Sequence, residues 1–332
     1  MSSPFVPLVE VLRGDVVESI HHGLLVVADP DGRVVESRGD PAHRVVLRSA
    51  GKPFQAAHFV ASGAAEALGV TDAELAVAVG SHGGTPEHVA QVASLMRKGG
   101  VEERMLRCGV HPPFDRAAKL LARRTGPTVL QNNCSGKHAA MLAGSIHLGL
   151  PLDTYLDPAH PWQQGIARLL ADAAGVLPAE LATVTDGCSA PSFVVPAAAA
   201  ARALARLAAG DGPLARVWRA STSQPLMIAG RGRLETDIME SAPGRAFAKS
   251  GAEGVYALAL RTDDGPLGVL VKVGDGDDAR ARPALGIALA SRLLALEPAQ
   301  RQRLWADHVP EVATLLGRPA GAIRCLVPVG PG

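Results

Sequence analysis

Ser49 and Lys52 stand three positions apart in Ser49-Ala50-Gly51-Lys52, a spacing that places both side chains on one face of a helix. A serine hydroxyl is a weak nucleophile until a neighbouring base takes its proton, and a desolvated neutral lysine can be that base. Lysine is scarce in this chain: Lys52, Lys98, Lys119, Lys137, Lys249 and Lys272 are all of it, and Arg supplies the rest of the 33 cations. Arginine cannot lose its proton in a protein, so a site that needs a neutral amine must keep lysine against this drift. Lys52, Lys137 and Lys249 all fall within short segments of small residues.

Lys249-Ser250-Gly251 follows the K-[ST]-G pattern, whose companion is an S-x-x-K motif about 200 residues upstream, where Ser49 and Lys52 lie. In serine hydrolases of the β-lactamase, penicillin-binding and glutaminase kind, the nucleophile begins a helix and K-[ST]-G lies on a sheet strand facing it. Between two predicted helices, Gly80-Ser81-His82-Gly83-Gly84 lets backbone approach a ligand, and Ser81 is positioned by order to pair with Lys249 as a second serine–lysine unit. His82 and His88 are read as hydrogen-bonded structural residues. Asn132-Asn133-Cys134-Ser135-Gly136-Lys137-His138 is followed some fifty residues later by Asp186-Gly187-Cys188-Ser189-Ala190-Pro191. Cys134 and Lys137 share a helix face, and two thiolates suit a borderline ion such as zinc. Without a C-x-x-C partner they fall short of four donors, so buried structural cysteines remain the competing reading.

The elements that must position these groups follow from periodicity and turn chemistry. Leu24 to Ala28 and Val34 to Ser37 flank Asp29-Pro30-Asp31-Gly32 and predict a β-hairpin. From Ser49 the pattern becomes helical: Thr71 to Glu74 has capping-box spacing, and Thr85-Pro86 places a cap before a first-turn proline. Helices are expected at Asp115 to Arg124, Cys134 to Leu148, Pro161 to Ala174 and Pro196 to Ala209. A second hairpin joins Gly254 to Leu260 with Leu267 to Val273, and a last helix, Pro283 to Leu296, covers the sheet that the hairpins share. The predicted fold is therefore α/β (α+β), an antiparallel sheet built from both ends of the chain, residues 1–48 and 245–332. A mainly helical region, 49–244, is inserted between them. We expect one interrupted catalytic domain with its site between the two parts.

Composition narrows the function. Thirty-three Lys and Arg against 32 Asp and Glu leave a net charge of +1, which does not suit a nucleic-acid binder or a partner of acidic membranes. Hydrophobic residues at 47% and charged residues at 20% describe a globular chain, not a disordered one. No run of about 20 apolar residues offers a membrane span. The start, Met1-Ser2-Ser3-Pro4-Phe5, lacks the basic and apolar stretches of an export signal, so a cytoplasmic location with free thiols is expected.

Taken in order, Leu47-Arg48-Ser49-Ala50-Gly51-Lys52-Pro53, Ser81-His82, Asn132 to His138, Asp186-Gly187-Cys188 and Lys249-Ser250-Gly251-Ala252-Glu253-Gly254-Val255 resemble the Rhizobium-type L-asparaginases from about residue 8 to residue 275. The resemblance implies a fold similar to serine β-lactamases and glutaminases and two Ser–Lys pairs, Ser49 with Lys52 and Ser81 with Lys249. It also implies zinc held by Cys134, Lys137 and Cys188 with water completing the shell, and a homodimer. A lysine ligand must be neutral, which explains why position 137 is not arginine.

The expected reaction is hydrolysis of L-asparagine to L-aspartate and ammonia through an acyl-enzyme on Ser49, with Lys52 as base. Ser81 and Lys249 relay protons. By analogy with β-lactamases the backbone N–H groups of Ser49 and Ala252 form the oxyanion hole, and Arg48 and Asp186 hold the amino-acid head group. The competing readings are a glutaminase or another small-amide or β-lactam hydrolase, and a non-catalytic amino-acid-binding protein.

Overall fold

Strands β1 (Val6–Arg13) and β2 (Val16–Ala28) meet through a tight turn at Gly14, whose φ of +56° suits a residue without Cβ. They open an antiparallel sheet in the computed structural model, which describes residues 3–327. The other strands are β3 (Val34–Arg38), β4 (Ala246–Gly251), β5 (Val255–Thr262), β6 (Gly265–Val273) and β7 (Gly321–Cys325). Their order is β7-β1-β2-β6-β5-β4, with β3 added on β2. The two chain ends interleave as expected: β2 pairs with β6 through Leu25↔Val271, and β5 pairs with both β6 and β4.

By its contacts the chain divides into two units. One comprises the chain up to Val45, Pro196–Ala209 and the chain from Gly232 onward; it holds the sheet. The other, Val46–Val195 with Gly210–Arg231, is mainly helical. The expected boundaries at residues 48 and 245 therefore shift, and the Ala197–Ala209 helix joins the sheet unit instead of the helical one. It packs on β2, β5 and β6, while the Ala281–Leu293 helix packs on β1, β5, β6 and β7. Every residue from Val255 to Leu260 in β5 is buried, so the sheet is covered on both faces. The apolar stripe of the Ala197–Ala209 helix shows that one face is buried, but not against which partner.

Two sheet segments escape the pattern reading. The first five residues of β2, Val16–Ile20, are all exposed, so no alternation of burial marks them. The short terminal strand β7 lies at the sheet edge, where the side-chain pattern is least constrained.

In the helical unit the chain enters through a 3₁₀ turn, Arg48–Gly51, that runs directly into the helix Lys52–Ala61. The helices Asp72–Val79 and Pro86–Gly99 follow, with Gly80 to Gly84 as the link. Thr71 caps the first of them as predicted: Glu74 N–H donates to Thr71 Oγ1 at 3.3 Å, and Thr71 N–H donates to Glu74 Oε2 at 2.7 Å. The helix Ser135–His147 packs on both and on Lys52–Ala61, and a short hairpin, Ala182–Thr185 with Pro191–Pro196, brackets the turn that holds Asp186 and Cys188. Among the described residues no helix is long and apolar enough to cross a membrane.

Candidate active site

The motif at residues 48–52 folds as a strained turn. Arg48 has φ of +49°, a left-handed conformation that costs a non-glycine residue roughly 1–2 kcal/mol. Tertiary bonds hold it there: its N–H donates to Ser192 Oγ at 3.1 Å, and its Nε donates to Asp186 Oδ1 at 2.7 Å. Ser49 follows immediately, half-buried, and among the described residues its Oγ makes no hydrogen bond. Two other non-glycine residues with positive φ also lie in the motifs: Ser189, beside Cys188, at +67°, and Glu253, beside Ala252, at +63°. Sequence patterns carry no signal for this strain, because these residue types do not favour the conformation.

Lys52 is fully buried, and its Nζ faces three oxygens. They are Gly80 O at 2.5 Å, Ser81 Oγ at 3.0 Å and Asn133 O at 3.2 Å. The hydroxyl it bonds is thus that of Ser81, not that of Ser49 in the 3₁₀ turn just before its helix. Helical spacing alone predicted the nearer serine, but the side chain extends instead toward the Gly80 to Gly84 loop. Burial, foremost, and the Lys137 charge lower the ammonium pKa of Lys52. A neutral amine in this position can accept a proton from a hydroxyl.

Cys134, Lys137, Asp186 and Cys188 form a buried cluster beside it. Lys137 Nζ lies 3.7 Å from Asp186 Oδ2, and Cys188 Sγ lies 3.8 Å from the same oxygen. The interaction between the two thiols favours the thiolate at Cys134 and the protonated thiol at Cys188. Burial disfavours the Lys137 ammonium, but Cys134, Cys188 and Asp186 outweigh it and raise its pKa. Asp186 likewise stays ionised against burial, through Lys137 and Arg48. Helix approach sets the cluster's geometry: a Cβ at Gly136 would sit 2.3 Å from Val77 O, so glycine there lets the Ser135–His147 helix pack onto backbone.

Two thiols and an amine are a chemically suitable donor set for zinc. Among the described residues no group of three or more His, Cys, Asp or Glu side chains is arranged to hold a metal. The neighbouring His138 is buried beside these donors. Its Nδ1 is bonded to Tyr155 Oη at 2.7 Å, while among the described residues its buried Nε2 has no partner.

His82 in the Gly80 to Gly84 loop and His88 on the following helix are both hydrogen-bonded. His82 Nδ1 accepts from Gly84 N–H at 3.2 Å, and its Nε2 donates to Ser135 Oγ at 3.0 Å. His88 Nε2 donates to Leu226 O at 2.8 Å, and its ring stacks on His82. Burial keeps both neutral.

The helical unit therefore gathers Arg48, Ser49, Lys52, Ser81, Cys134, Lys137, Asp186 and Cys188. Lys249 and Ala252 belong to the sheet unit. Lys249 is buried on β4, its Nζ donating to Ser250 O at 3.0 Å, and Ala252 lies exposed in the turn from β4 to β5. Sequence reasoning missed Tyr155 and Ser192, which support His138 and Arg48.

A mixed α/β chain carrying this set of groups is an amidohydrolase. It belongs to the L-asparaginase II family, matched over residues 9–325. No curated protein sequence matches it. Among solved structures it is similar to a provisional β-lactamase from Bacteroides dorei, with 15% identity and a TM-score of 0.41, covering 78% of this chain and 86% of that one. It is also similar to Mglu in an L-glutamate-binding form, with 17% identity and a TM-score of 0.38, covering 83% and 60% of the respective chains.

Proposed function

We propose that this chain hydrolyses the side-chain amide of L-asparagine to L-aspartate and ammonia through an acyl-enzyme on a serine activated by Lys52. The observation that supports it most directly is the buried Lys52 amine, 3.0 Å from a serine hydroxyl and one turn after a second serine on a strained turn. In this reading Ser49 Oγ attacks the amide carbon as Lys52 takes its proton. The C–N bond then breaks, and the proton leaves with ammonia through Ser81 and Lys249. Water attacks the ester, the bond to Ser49 Oγ breaks, and aspartate departs. The N–H groups of Ser49 and Ala252 stabilise the oxyanion, while Arg48 and Asp186 receive the carboxylate and ammonium of the substrate.

Cys134, Lys137 and Cys188 would hold zinc, which when bound supplies an electrophilic anchor for the substrate. Lys137 sheds its proton on binding, so metal affinity rises with pH. The proposal includes a cytoplasmic homodimer, which light scattering of the purified protein tests.

The hydrogen bond from Lys52 to Ser81 favours one variant of this reading, in which Ser81 is the acylated residue. Ammonia release by Ser49→Ala and Ser81→Ala, each with intact-mass measurement during turnover, separates the two. Loss of turnover and of the acyl adduct in Ser49→Ala places the nucleophile there, whereas an adduct surviving in Ser49→Ala moves it to Ser81. Parallel assays with L-glutamine decide the substrate, since one methylene is worth only about 1–3 kcal/mol of discrimination.

A further inference from the structure

Within the sheet unit lies a cavity of about 280 Å³ lined by Arg233, Glu235, Tyr256, Asp278, Arg282 and His308, among others. None of these residues belongs to the motifs assigned to amide hydrolysis. Alternation along the strands places Tyr256 on the sheet face opposite Lys249, although the Lys249 charge still reaches Glu235 in the cavity lining. Ser250 pairs with Tyr256 and Lys249 with Ala257 across β4 and β5, so Tyr256 and Ser250 occupy one face of the sheet and Lys249 the other. The Tyr256 ring packs against Gly286 of the Ala281–Leu293 helix, where a Cβ would stand 2.7 Å from Cε1.

Tyr256 is 1% exposed, yet among the described residues its Oη has no hydrogen-bond partner. A buried hydroxyl left unsatisfied destabilises the fold, so such a group calls for a ligand atom. The charges around it complete a recognisable pattern. Arg282 lies beside Tyr256, and among the described residues both of its hydrogen bonds, to Asp278 Oδ1 at 2.6 Å and Gly251 O at 3.2 Å, use Nη1. Its Nε and Nη2 remain available as donors. Glu235 is 3% exposed and stays ionised, because Arg233 and Lys249 outweigh the cost of burial; its Oε2 lies 3.9 Å from Arg233 Nε. His308 is already engaged, its Nε2 lying 2.7 Å from Asp237 Oδ2.

Two guanidinium groups and two carboxylates balance. A phosphate or other dianion would meet Glu235 and Asp278, and a bare cation would meet Arg233 and Arg282. A zwitterion satisfies both sets, its carboxylate on Tyr256 Oη and Arg282 and its ammonium on Glu235. The volume lies just under the roughly 300–1,000 Å³ of drug-sized sites, which suits a small metabolite and not a nucleotide. We propose that this cavity is a second binding site, distinct from the serine–lysine motifs, for a small α-amino acid.

Calorimetric titration of the intact protein with glycine and with L-aspartate tests this, using the wild type, Tyr256→Phe and Arg282→Gln, with acetate and methylammonium as the two halves of the ligand. Tyr256→Phe removes one oxygen from a buried position, and matching thermal melts show that either variant remains folded. The expected result is a binding event weakened about tenfold or more in both variants, with acetate and methylammonium each binding more weakly than glycine. Equal affinities in the wild type and both variants, no binding of either amino acid, or acetate binding as tightly as glycine would each overturn it. The titration reads binding without turnover. A protein that releases no ammonia but loses glycine affinity in Tyr256→Phe would therefore sink the asparaginase reading and leave this site standing.

Discussion

Lys52 Nζ lies 3.0 Å from Ser81 Oγ, fully buried, at the start of the helix that follows Ser49. The amine thus bonds two segments outside its own helix, the loop after Val79 and Asn133, and burial biases it toward the neutral form. Lys52→Met is expected to lower kcat for ammonia release at least a hundredfold, the usual scale of a lost general base. Lys52→Arg is expected to fail equally, since arginine keeps its proton. Recovery of activity in the arginine variant would show that only the positive charge matters.

The left-handed conformation of Arg48 yields a prediction about stability. Arg48→Gly and Arg48→Ala both remove the ion pair with Asp186, but glycine alone relieves the strain at φ of +49°. Arg48→Gly should be more stable than Arg48→Ala by about 1 kcal/mol in urea unfolding, because alanine retains the Cβ clash. Equal midpoints would mean that the turn relaxes once Asp186 is released.

Chelation bears on the thiol cluster. If a metal on Cys134, Lys137 and Cys188 orients the substrate while Lys52 supplies the base, chelation should raise KM more than it lowers kcat. Zinc alone, added back, should restore KM. A kcat abolished at saturating asparagine would instead assign the metal a part in bond breaking.

Gly144 faces the Trp162 ring, and a Cβ added there would stand 1.8 Å from Trp162 Cη2. Trp162 is 1% exposed and has little room to yield. Gly144→Ala should destabilise the protein by about 1–3 kcal/mol through overpacking, and Trp162→Leu in the same chain should recover part of the loss. An unchanged melting temperature in the single variant would contradict this packing.

Glu235 supplies a pH signature. Burial opposes its ionisation, yet Arg233 and Lys249 hold its pKa down at about 2, below the ordinary 4.5. A carboxylate with a depressed folded-state pKa contributes stability that is present above the unfolded value and is lost as pH falls from about 4.5 towards 2. The shift corresponds to about 3 kcal/mol. Glu235→Gln should therefore be less stable than the wild type at pH 7, with the difference shrinking through this acid window. A difference that stays constant from pH 7 to pH 2.5 would show that the carboxylate charge is not what is lost.

Much of the local structure was legible in the chain itself. Thr71 and Glu74 specify a capping box, the late hairpin is fixed by its apolar runs around Asp263-Asp264-Gly265-Pro266, and the six lysines pick out the segments where chemistry concentrates. These are short-range relations, set by bonds between neighbours and by the repeat of helix or strand. Partner choice is long-range, and there the tertiary structure decided. It assigned the Ala197–Ala209 helix to the sheet, turned Lys52 from Ser49 to Ser81, and brought Arg48 and Asp186 into an ion pair. It also left Tyr256 Oη buried among charges contributed by segments far apart in sequence. A side chain's type states what it can bond to, but only the packed fold determines which group lies within reach.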